Sequence, residues 1–151
     1  MSLRRLITYR ESLSNNLTMY KIVKQIDFSY AHRLVDYPGK CAFLHGHNGL
    51  VEIEISGSEL DNLGMLVDFT EVKTLVEEWI DQHLDHRTIL KQDDPLAEVL
   101  KKEGEKVFLM DTNPTAEHLA RLIYEAAAKQ GLRVTAVRLW ETPASMAEYS
   151  E

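Results

Sequence analysis

The chain has 151 residues, 44% of them hydrophobic, enough for one substantial core and better suited to one domain than two. A formal net charge of -7 opposes an extended basic face for nucleic acid or an anionic membrane, and no apolar run is long enough to cross a bilayer. A single cysteine cannot form an internal disulfide, so the chain reads as a cytoplasmic protein.

Residues 1–19, MSLRRLITYRESLSNNLTM, hold basic residues but no apolar core followed by a cleavage site, and read as an N-terminal extension to a single domain over 20–151. From Lys21 to Leu34, Ile22, Ile26, Phe28, Tyr30 and His32 share one parity, which predicts a strand with His32 on its apolar row. The segment RLVDYPGKCAFL follows, a loop with a Pro-Gly turn signal that is long for a hairpin and carries Cys41.

A second strand is predicted over His45–Gly57, with His45, His47, Val51, Ile53 and Ile55 inward and Glu52 and Glu54 outward. Asp68–Leu84 has the apolar spacing of an amphipathic helix, ending near the polar segment LDHRTILKQDDP. Pro95–Lys102 reads as a short helix. A longer one begins at Asn113-Pro114-Thr115, with Asn113 as its cap and Gly131 as its stop. Arg133–Glu141 alternates again as a strand, Thr142-Pro143-Ala144 is a turn, and Ser145–Tyr149 forms a short last strand. The order of two strands, two main helices and two strands predicts an α+β fold, an antiparallel sheet with helices on one face.

On a strand, His45 and His47 lie roughly 6.6 Å apart on one face, close enough to converge on one ion, with Gly46 between them leaving room on the other face. His32 is the natural third ligand if the first two strands pair antiparallel. Three imidazoles leave a tetrahedral zinc ion one open position, as in catalytic sites; the alternative is three ordinary half-buried histidines. Cys41 can be a small buried hydrophobe, a fourth metal ligand, or a thiolate base or nucleophile. Asp85-His86 is either a solvated helix end or a proton relay in which the carboxylate fixes the imidazole tautomer. Glu141 follows the parity of Val137 and Leu139. It is either solvated past the strand end or a partner for a planar ligand with adjacent N–H groups. His83 and His118 read as structural or surface residues.

The stretches FSYAHRL, CAFLHGHNGLVEI, GMLVDFTEVK, LDHRTIL, NPTAEHLA and VRLWETPASMAEY, in that order, resemble the 6-pyruvoyltetrahydropterin synthase and 6-carboxytetrahydropterin synthase family from about Tyr20 to Tyr149. The resemblance implies the tunnelling fold (T-fold), a four-stranded antiparallel sheet with two main helices on one face. It also implies a homo-oligomer, a trimer or dimer of trimers, with active sites between subunits. It gives zinc to His32, His45 and His47, a catalytic set to Cys41, Asp85 and His86, and a pterin anchor to Glu141, while Thr115 completes a neighbour's pocket. The implied substrate is 7,8-dihydroneopterin triphosphate, with Arg33, Lys40 or Arg138 as candidates to hold its triphosphate. The expected product is 6-carboxytetrahydropterin, on the route to queuosine-type deazapurines. The alternatives are the 6-pyruvoyl product and a noncatalytic zinc-stabilised module.

Overall fold

The computed structural model describes residues 19–151. The expected N-terminal extension lies, but for Met19, outside the described residues. Strands β1 (Tyr20–His32) and β2 (His45–Gly57) pair antiparallel along their whole length, with Ile22 opposite Ile55, Ile26 opposite Val51, Tyr30 opposite His47 and His32 opposite His45. Strand β5 (Ala136–Thr142) adds to β2, and β6 (Ser145–Ser150) returns beside β5 through the predicted turn. These are the expected antiparallel strands.

The sheet is wider than expected. Strands β3 (Arg87–Lys91) and β4 (Val107–Met110) extend it in the order β4-β3-β1-β2-β5-β6, and both new pairings are parallel. The segment read as a polar helix end is therefore a strand start, with Ile89 and Leu90 fully buried in succession. Burial of consecutive residues removes the alternation that would have marked it. Strand β3 meets β1 only over Tyr30–His32, so Tyr20–Ser29 have no partner on that edge among the described residues, and β6 forms an edge of the sheet.

One face of the sheet carries Ile26, Phe28, Val51, Ile53, Val137 and Leu139, all buried. The expected helix over Asp68–Leu84 runs as α1 (Phe69–Val72), a π turn over Lys73–Glu77 and α2 (Glu78–His83), with the Asp68 carboxylate accepting from the Thr70 amide at 2.7 Å. Its buried residues Val72, Val76, Ile80 and Leu84 recur every four residues. A period of four drifts around an α-helix of about 3.6 residues per turn, and the wider π turn takes up part of that drift. Helix α3 (Leu96–Lys102) joins β3 to β4, and α4 (Ala116–Lys129) buries Leu119, Ala120, Ile123 and Ala127 before Gly131, at φ 92°, ends it. Thr115, not Asn113, caps α4, accepting from the His118 amide.

The other sheet face carries a row of paired charges. Glu54 does point outward, yet it is buried beneath Arg138 (2.5 Å) and Lys21 (3.0 Å). Burial pushes its carboxyl up, but those two cations hold it below the usual value. Arg138 also reaches Glu148 at 2.5 Å. No helix of the described residues is long and apolar enough to cross a membrane.

Candidate active site

His32 ends β1, while His45 and His47 begin β2, so the hairpin register brings three imidazoles of one parity together. One nitrogen from each lies within 4.8 Å of the other two, and the ring centroids are 4.6–5.2 Å apart. His32 Nδ1 lies 2.7 Å from the Pro114 carbonyl and His45 Nδ1 2.8 Å from the Phe43 carbonyl. A carbonyl can only accept, so both Nδ1 atoms carry the proton and both Nε2 lone pairs are free. The Nε2 atoms of His32 and His47 are buried without a hydrogen-bond partner. Burial also holds the His32 imidazole below its ordinary pKa, against the pull of Pro114 and Glu141, which favours the neutral form a metal needs. The residues present therefore fit a metal ion.

Glu141 is half-buried on the histidine side, as its parity indicated. Its Oε1 lies 3.7 Å from His32 Nε2 and 4.0 Å from His47 Nε2, and accepts from the Tyr30 hydroxyl at 3.1 Å. Burial, and then Glu141, push the Tyr30 phenol far above its ordinary pKa, so it remains a donor. A cavity of about 380 Å³ is lined by the three histidines together with Cys41, Thr115 and Glu141. Cys41 sits in a 3-10 turn over Lys40–Ala42, and its carbonyl accepts from the Leu34 amide at 2.8 Å.

Asp85 and His86 are not in this cavity. Asp85 accepts from the Ser29 amide at 2.9 Å, and its second oxygen lies 2.6 Å from His86 Nδ1, so the carboxylate fixes the imidazole tautomer. Burial pushes the Asp85 carboxyl up, but the Ser29 amide and His86 together hold it below its usual value. His86 has the left-handed φ of 52°, sparsely populated for a residue with a side chain, and its amide donates to the Ser29 carbonyl at 2.7 Å. Its exposed ring borders a second cavity of about 410 Å³ with Ser29, Gly46 and Asn48, of opposite parity to the histidine ligands, and Tyr30 and His47 also line it. The relay geometry is present, but one chain does not bring it to Cys41.

Of the three cations considered for a triphosphate, two are engaged elsewhere. Arg33 forms a two-bonded pair with buried Asp94, and Arg138 is held by glutamates on the far face. Lys40, exposed beside Cys41, has no acidic partner among the described residues.

The family-model description 6-pyruvoyl tetrahydropterin synthase matches residues 21–151, nearly the whole described chain. The chain belongs to the 6-pyruvoyl tetrahydropterin synthase family. Among relatives, the 6-carboxy-5,6,7,8-tetrahydropterin synthase of Rickettsia conorii is 38% identical over 132 residues, covering 83% of this chain and 96% of the relative. The protein of the same name from Haemophilus influenzae is 37% identical over 142 residues, covering 88% of this chain and 100% of that one. Among solved structures, an uncharacterized protein from Wolinella succinogenes aligns with a TM-score of 0.73 at 26% identity, over 88% of this chain and 98% of that one. The 6-pyruvoyl tetrahydropterin synthase of Caenorhabditis elegans aligns with a TM-score of 0.67 at 24% identity, over 89% and 96%. The fold is the tunnelling fold, with β3 and β4 added to its four antiparallel strands.

Two residues at this site escaped the sequence reading. Tyr30 was counted only as part of the apolar row, although a hydroxyl two residues before His32 on the same face was a visible signal. Asn113 was read as a helix cap, whereas its amide group clamps Val35, accepting from the Val35 amide at 2.8 Å and donating to its carbonyl at 2.9 Å. That clamp fixes the root of the Cys41 loop, and no local pattern signals it.

Proposed function

We propose that this chain is a zinc-dependent 6-carboxy-5,6,7,8-tetrahydropterin synthase, acting in the cytoplasm on 7,8-dihydroneopterin triphosphate and one water to give 6-carboxytetrahydropterin, acetaldehyde and triphosphate. The observation that carries the metal part is the pair of buried, unpartnered Nε2 atoms on His32 and His47, with His45 beside them. The names of relatives at 36–38% identity favour the 6-carboxy product over the 6-pyruvoyl one.

His32, His45 and His47 hold the zinc. When bound, the ion supplies Lewis-acid polarisation of the substrate's side-chain oxygens. Glu141, on the wall of the same cavity, accepts from the adjacent N–H groups of the pterin ring. Thr115, expected in a neighbour's pocket, lines this chain's own cavity instead, where its hydroxyl, accepting from the His118 amide, is left to donate to the ring. Cys41, at the same wall, removes a proton from a side-chain carbon as thiolate. Asp85 keeps the proton of His86 on Nδ1, leaving Nε2 to accept and return protons during the internal transfer of electrons from side chain to ring. Lys40 is the cation best free to meet the triphosphate.

The separation of Asp85 and His86 from the zinc cavity supports a site completed between subunits, with the relay of one subunit serving the cavity of its neighbour. The unpartnered β1 and β6 edges support closure into a ring by strand pairing, as a trimer or dimer of trimers. Tyr37, Phe43 and Leu44, 46%, 74% and 45% exposed around the Cys41 loop, suit coverage by a neighbouring subunit.

A noncatalytic zinc module requires a closed site with Cys41 as fourth ligand, and the metal-competent group among the described residues consists of the histidines alone. Cys41→Ala separates these readings. Full zinc content with turnover lost is the expected outcome. Loss of zinc favours the closed site, and undisturbed turnover removes Cys41 from the catalytic set.

A further inference from the structure

Tyr30 has no part in the chemistry proposed above, yet it touches two of the three histidines and Glu141. Its side chain is buried, its ring stands edge-on to His32 at 5.1 Å between centroids and tilted to His47 at 5.7 Å, and its hydroxyl donates to Glu141 Oε1 at 3.1 Å. The same oxygen lies 3.7 Å and 4.0 Å from the free nitrogens of His32 and His47. Two ligands of one tetrahedral zinc ion, with bonds of about 2.0–2.1 Å, stand about 3.4 Å apart. Glu141 Oε1 is therefore only a few tenths of an ångström outside the spacing of a fourth ligand to those two imidazoles.

A carboxylate so near these imidazoles would be drawn toward a metal they held. The hydroxyl of Tyr30 is the hydrogen bond on that oxygen that opposes the move. Burial and the packed imidazoles leave the ring little freedom to follow.

We propose that Tyr30 is a positioning residue that tethers Glu141 outside the metal's coordination sphere. The tether leaves one coordination position open to the substrate's side-chain oxygens and keeps the carboxylate available to the pterin. This rests on the proposed roles of the histidines and Glu141.

Tyr30→Phe keeps the ring and removes only the tether. A packing defect at a metal site loosens the metal, whereas release of Glu141 onto it tightens the metal, so the sign of the change identifies the cause. The full chain, Tyr30→Phe, Glu141→Gln and the double variant are loaded with zinc in competition with a chromophoric chelator, and with cobalt for visible absorption. The expected result is zinc bound on the order of tenfold more tightly by Tyr30→Phe, with an altered cobalt spectrum, and wild-type behaviour restored in the double variant. Zinc affinity equal to or weaker than wild type in Tyr30→Phe, with an unchanged cobalt spectrum, overturns the inference. Binding of 7,8-dihydroneopterin keeps the two levels apart. Normal affinity in Glu141→Gln contradicts the pterin-anchor role alone, whereas the metal measurements report on the tether whatever the pterin result.

Discussion

At the scale of single residues, the site depends on groups whose second partners decide what the first can do. The Pro114 and Phe43 carbonyls hold the protons of His32 and His45 on Nδ1, and so make Nε2 the donor atom toward a metal. Glu141→Gln keeps the shape of the carboxylate and removes its charge. Loss of charge-assisted bonds to a pterin should weaken binding of 7,8-dihydroneopterin by roughly 10- to 100-fold with zinc content unchanged, measured by calorimetry and metal analysis. Next to the site, Asp94 is buried against Arg33, the residue after His32, and also accepts from the Leu96 amide at 2.8 Å. The Arg33 guanidinium holds the Asp94 carboxyl below its usual range, against burial. A depressed folded-state value means that the pair contributes stability above about pH 4 and loses it as pH falls through the folded value. With Arg33 partly exposed, Asp94→Asn should cost about 1–3 kcal/mol in urea unfolding at neutral pH, and the difference from wild type should shrink in acid.

At the scale of elements, the hairpin of β1 and β2 sets the metal geometry, and it was the most legible part of the chain. Both strands bury one face against helices, so Ile26 to His32 and His45 to Ile53 keep a period of two, and that parity carried the three histidines with it. Gly46 serves the same hairpin. A β-carbon there would stand 2.9 Å from the Tyr30 carbonyl oxygen, a backbone atom that cannot move without shifting the strand pair. Gly46→Ala should destabilise the fold by roughly 1–3 kcal/mol and weaken metal binding, whereas Gly104→Ala, strained only by its φ of 84° and far from any neighbour, should leave metal binding intact. Strands β3 and β4 were not legible because they are short, with five and four residues, and β3 buries Ile89 and Leu90 in succession, so too little alternation marks them. Nor could spacing tell that β3 starts by turning Asp85 and His86 toward Ser29 rather than Cys41. That follows from a parallel pairing between residues more than fifty positions apart, which no local pattern records.

At the scale of the whole molecule, one chain holds all the proposed residues but distributes them over two faces of one sheet. A ring of subunits, closed through the β1 and β6 edges, would juxtapose the faces that one chain keeps apart. Cys41→Ala and His86→Ala should each be inactive alone and recover activity when co-expressed. Roughly a quarter of the sites in randomly mixed rings would take both residues from intact subunits. Absence of recovery, with mixed assemblies demonstrated by mass, would place the whole catalytic set within one subunit. The central claim concerns the product, and mass analysis of the pterin formed from 7,8-dihydroneopterin triphosphate by the zinc-loaded chain, with acetaldehyde assayed alongside, tests it most directly. The account predicts 6-carboxytetrahydropterin with equimolar acetaldehyde and triphosphate; a 6-pyruvoyl product without acetaldehyde, or no turnover by zinc-loaded protein, would contradict it.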